Sequence, residues 1–195
     1  MSGAAETVIP QLARGDAAGG DDAGAVRFEG LYLAHYPRLV GVLQRVTGDL
    51  GRSEELANEV FAGLYRDRRA LLRSTDGDLG GWLFRAAVNL GIDSVRKTSR
   101  RRKYERFAIQ GGETDSEADP LADAVAREKQ RRVRAVLATL KPAQAQILIL
   151  RASGFSYLEL AGSLEMRVGS VGTQLARAEA AFENNYRKSF PSEET

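Results

Sequence analysis

Apolar residues recur every three to four positions along most of this 195-residue chain, the spacing that places them on one face of a helix. The first such stripe spans residues 26–47 and closes at Gly48, because glycine readily ends a helix. A second stripe follows Ser53, a candidate N-cap, and a third runs from about Gly81 towards Tyr104. Because no run alternates strictly between apolar and polar residues, the pattern favours an all-α fold without strands.

The C-terminal half has a sharper pattern, made of short helices separated by residues that break helices. The pair Lys141-Pro142 ends one helix and starts another, and Gly154 ends the next. The run 156-SYLE-159 has the form of a capping box, and a tight turn at about residues 165–167 leads into a final helix. Two short helices joined by such a turn predict a helix-turn-helix motif. The buried face of its second helix is expected to contain Val168, Val171, Leu175, Ala178 and Phe182.

The net charge of +2 is a balance between segments of opposite charge. Counting Lys and Arg against Asp and Glu gives −3 for residues 1–24, +6 for 25–107, −4 for 108–120 and +3 for 121–195. The acidic third segment is rich in turn-forming residues, which suits a linker between two basic segments. We therefore expect two small helical domains joined by a flexible acidic linker, the second domain containing the helix-turn-helix. The expected bounds are a flexible N-terminal tail over residues 1–25, a first domain over 26–107, a linker over 108–120, a second domain over 121–188 and a C-terminal tail over 189–195.

The strongest basic cluster lies in the second half of the third predicted helix, 93-DSVRKTSRRRKYERF-107. Such a cluster suits a polyanion, and contact with about six to seven DNA phosphates would give a slope of log affinity against log salt of roughly −5 to −6. The same residues could instead solvate the end of the helix and complement its dipole. In the apolar half of this helix, Trp82 and Phe84 are either core residues or supports for bases drawn out of a duplex.

The exposed face expected for the last helix holds few charges. Gln174 can pair with adenine, and Arg177 with guanine or phosphate. Ser170 and Thr173, near the start of the helix, suit a phosphate, and Arg167 directly precedes the helix. This face predicts DNA reading through a small number of contacts. A helix that packs on another protein would also fit the pattern.

The amino-acid composition excludes most catalytic mechanisms. The chain has no cysteine and a single histidine, His35, so it lacks thiolate chemistry and most histidine-based acid–base or metal chemistry. No apolar run approaches the roughly 18 residues of a membrane span, and the N-terminus lacks the architecture of a signal peptide. We therefore expect no catalytic residue, no metal, no cofactor and no membrane insertion, and the lack of cysteine fits the reducing cytoplasm.

Three blocks of sequence, taken together and in order, identify a family: 53-SEELANEVFAGLY-65, 81-GWLFRAAVNLGIDSVRK-97 and 139-TLKPAQAQILILRASGFSYLELAGSLEMRVGSVGTQLARA-178. Over about residues 26–107 and 121–186 the chain resembles the bacterial extracytoplasmic-function (ECF) sigma factors. The resemblance implies a non-enzymatic transcription initiation factor that binds core RNA polymerase and directs it to promoter DNA. The alternative is a stand-alone helix-turn-helix regulator, which would need tight duplex binding without polymerase.

The resemblance also implies which residues act. In the family the second helix of the first domain binds core polymerase, which would assign this contact to Leu56, Asn58, Glu59 and Phe61. The following loop and the third helix would capture the melted minus-ten element through Ser74, Thr75, Asp76, Asn89, Asp93, Arg96, Lys97 and Arg100. The helix-turn-helix would read the minus-thirty-five element through Arg167, Ser170, Thr173, Gln174 and Arg177.

Some positions depart from the usual pattern of the family. Glu165 stands where a glycine often makes the turn, so a left-handed backbone at this residue would be strained. Asn58 stands where glutamine is more usual, and Gly172, Gln174 and Glu179 stand where Lys or Arg is often found. Family members are commonly held inactive by an anti-sigma protein, and such a partner is a hypothesis for this chain as well.

Overall fold

The computed structural model describes residues 20–108 and 122–191, which form eight α-helices in two groups. The first domain consists of α1 (Gly20–Thr47), α2 (Leu50–Arg66), α3 (Arg68–Arg73) and α4 (Asp76–Ala108). The second domain consists of α5 (Ala122–Leu137), α6 (Pro142–Ala152), α7 (Tyr157–Ser163) and α8 (Val168–Ser189). Because a short turn joins α7 to α8, the second domain contains the expected helix-turn-helix, and the all-α fold with two domains is confirmed.

The expected linker over residues 108–120 lies outside the described residues, except for Ala108, which ends α4. Residues 192–195 of the expected C-terminal tail also lie outside them. In the part of the chain that the structure describes, no helix is both long enough and apolar enough to cross a membrane.

The first two helices begin earlier than the sequence pattern predicted. Because α1 starts at Gly20, residues 20–25 are helical and do not belong to a tail. The N-cap of α2 is Asp49, whose Oδ1 accepts a hydrogen bond from Arg52 N at 2.8 Å. Ser53, the predicted cap, is instead buried inside α2, and its hydroxyl donates to the Asp49 carbonyl at 2.5 Å. The prediction was wrong because Asp49 offers a carboxylate one turn earlier.

A helix start replaces most of the loop that was expected around residues 74–78. Helix α4 begins at Asp76, and Thr75 caps it by accepting from Asp78 N at 3.2 Å through Oγ1. In return, Asp78 Oδ2 accepts from the Thr75 hydroxyl at 2.7 Å and from Thr75 N at 3.2 Å. This reciprocal arrangement is a capping box, and its hydrogen bonds lower the pKa of the Asp78 carboxyl. The sequence pattern placed the start of this helix at about Gly81 because the apolar stripe begins only there.

An aromatic group fills the core of the first domain where α1 crosses α2. The rings of Phe28, Tyr32 and Tyr36 surround Phe61 with centroid separations between 4.9 and 6.1 Å. Burial, together with the neighbouring Tyr36, raises the pKa of Tyr32 to about 12. The single histidine, His35, is half-buried against the edge of Phe84, and burial lowers its pKa. This histidine is therefore a packed residue.

The apolar face of α8 packs on α6 and α7, and most of it was predicted correctly. Val171, Leu175 and Ala178 are buried, and Phe182 is partly buried against the same core. Val168 was predicted to be buried and is 48% exposed. It is the first residue of α8, at the end of the helix, where its side chain reaches past the core.

Helix α4 also packs against the second domain, so the buried apolar side chains of both domains form one continuous cluster. Phe84 meets Phe155 edge-on, with ring centroids 4.8 Å apart. A Cβ added to Gly81 would lie 3.1 Å from Ser163 Cα, so the backbones of α4 and α7 approach closely at this glycine. Phe84 is therefore a core residue, whereas Trp82 is 39% exposed.

We expect Phe61→Ala to cost about 3–5 kcal/mol in the free energy of unfolding, because it removes a buried ring from the aromatic group. Asn58→Ala is the matched control on the exposed side of the same helix and is expected to change this free energy by less than about 0.5 kcal/mol. Urea unfolding of both variants measures the difference. Equal stability of the two variants would contradict the packing described here.

Candidate nucleic-acid interface

The frame of the helix-turn-helix is fixed by local hydrogen bonds. Ser156 caps α7 by accepting from Glu159 N at 3.2 Å, and Glu159 Oε2 accepts in return from Ser156 N at 2.8 Å, as the capping box predicted. The turn passes through Glu165, whose φ of 53° lies in the left-handed region. Met166 N closes the turn by donating to the Ala161 carbonyl at 2.9 Å. The left-handed backbone expected for a glycine is therefore present, but a glutamate adopts it.

The exposed side of α8 carries most of the residues predicted to face DNA. Thr173, Gln174 and Arg177 are exposed, and Arg167 is exposed at the N-cap position. The Arg167 side chain makes no cap hydrogen bond to the first turn of α8. Ser170 differs because it is half-buried and its hydroxyl donates to the Arg167 carbonyl at 2.7 Å. Its hydroxyl proton is therefore used within the turn. The other four side chains form the open face of α8: Arg167, Thr173, Gln174 and Arg177.

The basic part of α4 divides into an open and an occupied portion. Lys97 and Arg100 are exposed. Arg96 is half-buried, and its guanidinium donates to Ala138 O at 2.8 Å and to Leu140 O at 3.3 Å. Those carbonyls belong to the turn that follows α5, which ends at Leu137. The structure thus brings Arg96 to the second domain.

Asn89 and Asp93 lie on α4 about two turns and one turn before Arg96, respectively. Asn89 Oδ1 accepts a hydrogen bond from Gln146 Nε2 of α6 at 2.9 Å. Asp93 Oδ1 accepts from Arg96 Nη1 at 3.3 Å and so helps to orient the guanidinium. Two of the predicted minus-ten residues, Asn89 and Arg96, therefore contact the second domain directly.

Arg27 of α1 holds the segment that precedes α4. Its guanidinium donates to Leu71 O at 2.5 Å, to Ser74 O, and to Asp76 Oδ1 at 2.7 Å. The hydroxyl of Thr75 is engaged by the cap of α4, so this predicted contact residue has a structural task. Arg27 was missed at the sequence level because nothing in a helical stripe distinguishes an arginine that reaches 49 residues along the chain.

Trp82 lines an open cleft between the end of α2 and the turn of the helix-turn-helix. Leu64 and Leu79 contribute the apolar part of this cleft, and Ser74 lies on its rim. Arg85 and Glu165 lie opposite, one from each domain. An exposed indole beside an apolar floor is the kind of surface on which an unpaired base can stack. Phe84 is therefore a core residue. Trp82 has the exposure that a support for an unpaired base requires.

Helix α2 separates the four residues predicted to bind polymerase into two pairs. Asn58 and Glu59 are exposed. Leu56 and Phe61 are 1% and 2% exposed, respectively, and belong to the core. The prediction of a direct contact is therefore corrected for these two side chains, because the helix turns them towards α1 and α4. Their role in this surface is to hold α2 in place.

Ion pairs between the domains accompany these contacts. Arg38 of α1 donates to Glu159 Oε1 at 2.7 Å and stacks 3.8 Å from the centroid of the Phe155 ring. Arg85 of α4 donates to Glu165 Oε1 at 2.5 Å and to the Ser163 carbonyl. The hydrogen bond from Arg38, with those from Ser156, lowers the pKa of Glu159 to about 2. No sequence motif marked these arginines, whereas Glu165 was already conspicuous in a turn that favours glycine.

Comparison with known proteins agrees with this geometry. Residues 31–101 match the family described as Sigma-70 region 2, and residues 130–182 match the family described as Sigma-70, region 4. These two regions together define an RNA polymerase sigma factor, a protein that directs the polymerase to promoters and performs no catalysis itself. The chain belongs to the ECF group of these sigma factors.

Two curated relatives illustrate the extent of the similarity. The ECF RNA polymerase sigma factor SigE of Mycolicibacterium smegmatis is 26% identical over 167 residues, which cover 81% of this chain and 61% of that protein. The factor SigK of Mycobacterium tuberculosis is 27% identical over 150 residues, which cover 75% of this chain and 79% of that protein. The match therefore spans less than two thirds of SigE and about four fifths of SigK.

Two solved structures also resemble the fold. The sigma factor RpoE of Bartonella quintana, solved with the anti-sigma factor NepR, has a TM-score of 0.46 and 19% identity, covering 82% of this chain and 96% of that one. CnrH, solved with the cytosolic domain of CnrY, has a TM-score of 0.49 and 20% identity, covering 85% of this chain and 92% of that one.

We expect Glu159→Gln to lower stability at neutral pH and to lose this effect in acid. The pKa of this carboxyl falls from 4.5 to about 2 in the folded chain, so its ionised form stabilises the fold above 4.5. That stability is lost as the pH falls towards about 2, because the native carboxylate must then be protonated. Urea midpoints of the two proteins should therefore differ at pH 7 and converge between pH 4.5 and about 2.

Glutamine can still accept from Ser156 in the capping box, so the comparison removes the charge together with the hydrogen bond from Arg38. Glu179→Gln, on the exposed side of α8, is the control for losing one negative charge from the second domain. A gap between Glu159→Gln and the natural chain that stayed constant down to pH 2 would contradict the assigned role of the carboxylate.

Proposed function

We propose that this sigma factor divides promoter recognition between three surfaces, one for polymerase and two for DNA. The observation that carries the proposal is that both matched sigma regions retain exposed basic or polar side chains where the family places DNA. In the first domain these are Lys97 and Arg100 of α4, and in the second they are Thr173, Gln174 and Arg177 of α8. The expected domain bounds, residues 26–107 and 121–188, fit this division once α1 is extended to Gly20.

The first domain would capture the melted minus-ten strand. Unstacking a base costs a few kcal/mol, which is offset when an aromatic surface and a basic groove prefer the single strand. The exposed indole of Trp82 offers the surface, and Lys97 and Arg100 offer charge farther along the same helix. Ser74, on the rim of the Trp82 cleft, and the exposed Asp76 stay in the proposed contact set.

Three further members of the minus-ten set have other partners in this structure. Thr75 caps α4, Asn89 is bonded to Gln146, and Arg96 is bonded to the turn that follows α5. We propose that Asn89 and Arg96, with Asp93 as the partner of Arg96, contact DNA after these bonds are exchanged. Thr75 would act by fixing the start of the helix.

The second domain would read the minus-thirty-five element through the open face of α8. Arg177 and Gln174 have the donors and acceptors needed for base edges, and Arg167 with the helix start suits a phosphate. With so few charges this helix would bind weakly alone. A tether to a polymerase-bound first domain raises its effective concentration, so weak intrinsic affinity is sufficient.

The polymerase-binding surface would lie on the exposed side of α2, around Asn58 and Glu59. Because its partner is the transcription machinery, we propose that the protein acts in the cytoplasm. An anti-sigma partner stays a hypothesis, and co-purification from the native cell with a bound inhibitor would support it.

The first test is a titration of labelled protein against core RNA polymerase that lacks any sigma factor. Saturable binding, competed by another sigma factor, is expected. We expect Asn58→Ala with Glu59→Ala to weaken this binding at least about tenfold, which corresponds to about 1.4 kcal/mol. Gln44→Ala, exposed on α1, is the matched control. Unchanged affinity of the double variant, with its fold intact, would show that the surface lies elsewhere.

The second test concerns the open basic residues of α4. Lys97→Ala with Arg100→Ala removes two proposed phosphate contacts, so the slope of log affinity against log salt should become shallower by about 1.4–1.8. Promoter affinity of the polymerase complex is measured between low and moderate salt. The control pair is Arg45→Ala with Lys188→Ala, two exposed cations outside the proposed surfaces.

A template with a preopened bubble separates the two ways in which that variant can fail. Recovery of transcription on the bubble would indicate a defect in melting, and persistent loss would indicate a defect in strand capture. A slope equal to that of the control pair would exclude direct phosphate contacts by Lys97 and Arg100.

A further inference from the structure

We propose that Arg27 is a positioning residue for promoter recognition. It fixes the Asp76 carboxylate so that the free oxygen of this group accepts a hydrogen bond from the exocyclic amino group of one unpaired base. Cytosine and adenine carry such a group, at N4 and N6 respectively, whereas thymine presents a carbonyl oxygen in its place. The inference rests on the proposed minus-ten role of Asp76, and it names the base chemistry that this residue would select.

Arg27 binds three acceptor atoms in the segment formed by residues 71–76, here called the 71–76 segment. Its Nη1 donates to Leu71 O at 2.5 Å, and its Nη2 donates to Ser74 O and to Asp76 Oδ1, the latter at 2.7 Å. Its Nε donates to the same Oδ1 at 3.0 Å. Because a guanidinium holds its donors in a rigid plane, these hydrogen bonds fix the three acceptors relative to one another. Helix α1 thereby shapes a segment that begins 44 residues later in the chain.

The packing of α1 holds the backbone from which Arg27 extends. Phe28, the next residue, meets Phe61 edge-on at a centroid separation of 6.0 Å and Tyr65 at 5.2 Å. The Arg27 side chain is 26% exposed, whereas the Asp76 side chain is 73% exposed. The arginine is therefore anchored inside the protein, and the carboxylate that it binds faces solvent.

The backbone of Asp76 is fixed by a separate set of hydrogen bonds. Asp76 is the first residue of α4, between the two members of the capping box. Thr75 Oγ1 donates to Asp78 Oδ2 at 2.7 Å and accepts from Asp78 N at 3.2 Å. The capping box therefore sets the backbone of Asp76, while Arg27 sets its side chain. An acceptor held in this way loses little conformational freedom when a ligand binds, which favours affinity.

One oxygen of Asp76 is left for a ligand. Both hydrogen bonds from Arg27 go to Oδ1, and in the part of the chain that the structure describes no group donates to Oδ2. An ionised carboxylate only accepts hydrogen bonds, and aspartate is a known acceptor for the amino group of cytosine. A thymine carbonyl at the same place would leave two acceptors facing each other. The positive charge of Arg27 also offsets that of the carboxylate, so DNA phosphates are repelled less.

Asp76 lies near the surface on which an unpaired base could stack. Arg27 Nη2 is bonded to both Ser74 O and Asp76 Oδ1, so these two atoms are close together. Ser74 lies on the rim of the Trp82 cleft, where the indole is 39% exposed. A base uses its face for stacking and its edge for hydrogen bonds, so the indole and the carboxylate would act on different parts of the strand without competing.

The test uses core polymerase loaded with this chain and templates with a preopened bubble, in which pairing to the other strand plays no part. Templates randomised in both promoter elements are first selected for complexes that resist heparin, which gives the preferred minus-ten bases. One position is expected to require cytosine or adenine. The base at that position is then replaced by 2-pyrimidinone or by purine, which lack only the amino group of cytosine and of adenine, respectively.

Loss of the amino group should weaken binding of the natural complex at least about tenfold, because the lost hydrogen bond has a charged acceptor. With Asp76→Ala the same change of base should have less than about a twofold effect, because no acceptor is left. With Arg27→Ala the carboxylate remains but must be ordered by the base, so the effect should fall to about threefold or less. Arg27→Lys keeps the charge without the planar fork and should give an intermediate value.

The ratio between the two templates separates positioning from a general loss of structure. A loosened fold would weaken binding to both templates alike and leave their ratio unchanged. Arg45→Ala, which removes an exposed arginine from the same helix, is the matched control and should keep the full effect of the amino group. A ratio for Arg27→Ala equal to that of Arg45→Ala would overturn the role of Arg27.

Asp76→Asn tests the chemistry without removing the side chain. Its amide can still accept from Arg27 through oxygen, and it can turn an N–H group towards the base. Thymine at the selected position should therefore be tolerated much better by this variant than by the natural chain. Equal rejection of thymine by the two proteins would overturn the assignment of Asp76 as the acceptor.

Failure of the proposed function and failure of this inference give different results. A folded natural chain that did not bind core polymerase would contradict the proposed function, and the inference that rests on it would fall as well. A natural chain that bound polymerase and opened the selected promoter, but tolerated removal of the amino group at every minus-ten position, would overturn the inference alone.

Discussion

The structure depends on one long helix, α4, which packs in two directions at once. Its first half must present apolar side chains to α1 and α2, and it must also accept the backbone of α7 at Gly81 and the ring of Phe155 at Phe84. The small Gly81 and the ring of Phe84 meet both requirements within one turn of the helix. The basic second half of the same helix is thereby directed along the boundary between the domains.

That geometry explains why the basic residues of α4 predicted to contact DNA differ in exposure and in hydrogen-bond partners. Lys97 and Arg100 extend into solvent, where they are available to a polyanion. Arg96 lies on the side facing the second domain and donates to carbonyls of the turn that follows α5. A guanidinium that is partly buried needs such acceptors, because an unsatisfied buried charge is costly.

The small number of charges on α8 agrees with the proposed recognition of DNA at two connected sites. A reader on a tether does not need high affinity alone, and low affinity leaves the second domain free to exchange between partners. The polar contacts at the domain boundary fit this need. Arg38 and Arg85 form ion pairs that are partly exposed, and such pairs add little stability in water.

The starts of two helices were predicted wrongly because more than one residue near each start could act as the N-cap. Ser53 and Asp49 both suit the start of a helix, and periodicity could not decide between them, since the deciding hydrogen bond depends on where the chain leaves α1. The start of α4 was missed for a similar reason. Thr75 and Asp78 form a capping box ahead of the apolar stripe, in a stretch that looks like a loop by composition.

Helix α2, which was predicted to bind polymerase, shows a different limit of prediction from sequence. Leu56, Asn58, Glu59 and Phe61 were predicted together because the family resemblance marks a segment of the chain. Only the packing of α2 on α1 and α4 separates the buried pair from the exposed pair.

The sequence by itself determined the longer helices apart from their first turns, the helix-turn-helix and its capping box, and the family of the protein. These follow from periodicity, short-range caps and ordered motifs, all of which lie within a few residues along the chain. Only the tertiary structure decided the partners of Arg27, Arg38, Arg85 and Arg96. Those partners lie 42 to 121 residues away, and an arginine on a helix surface has no local preference that could indicate which acceptor the fold will bring to it.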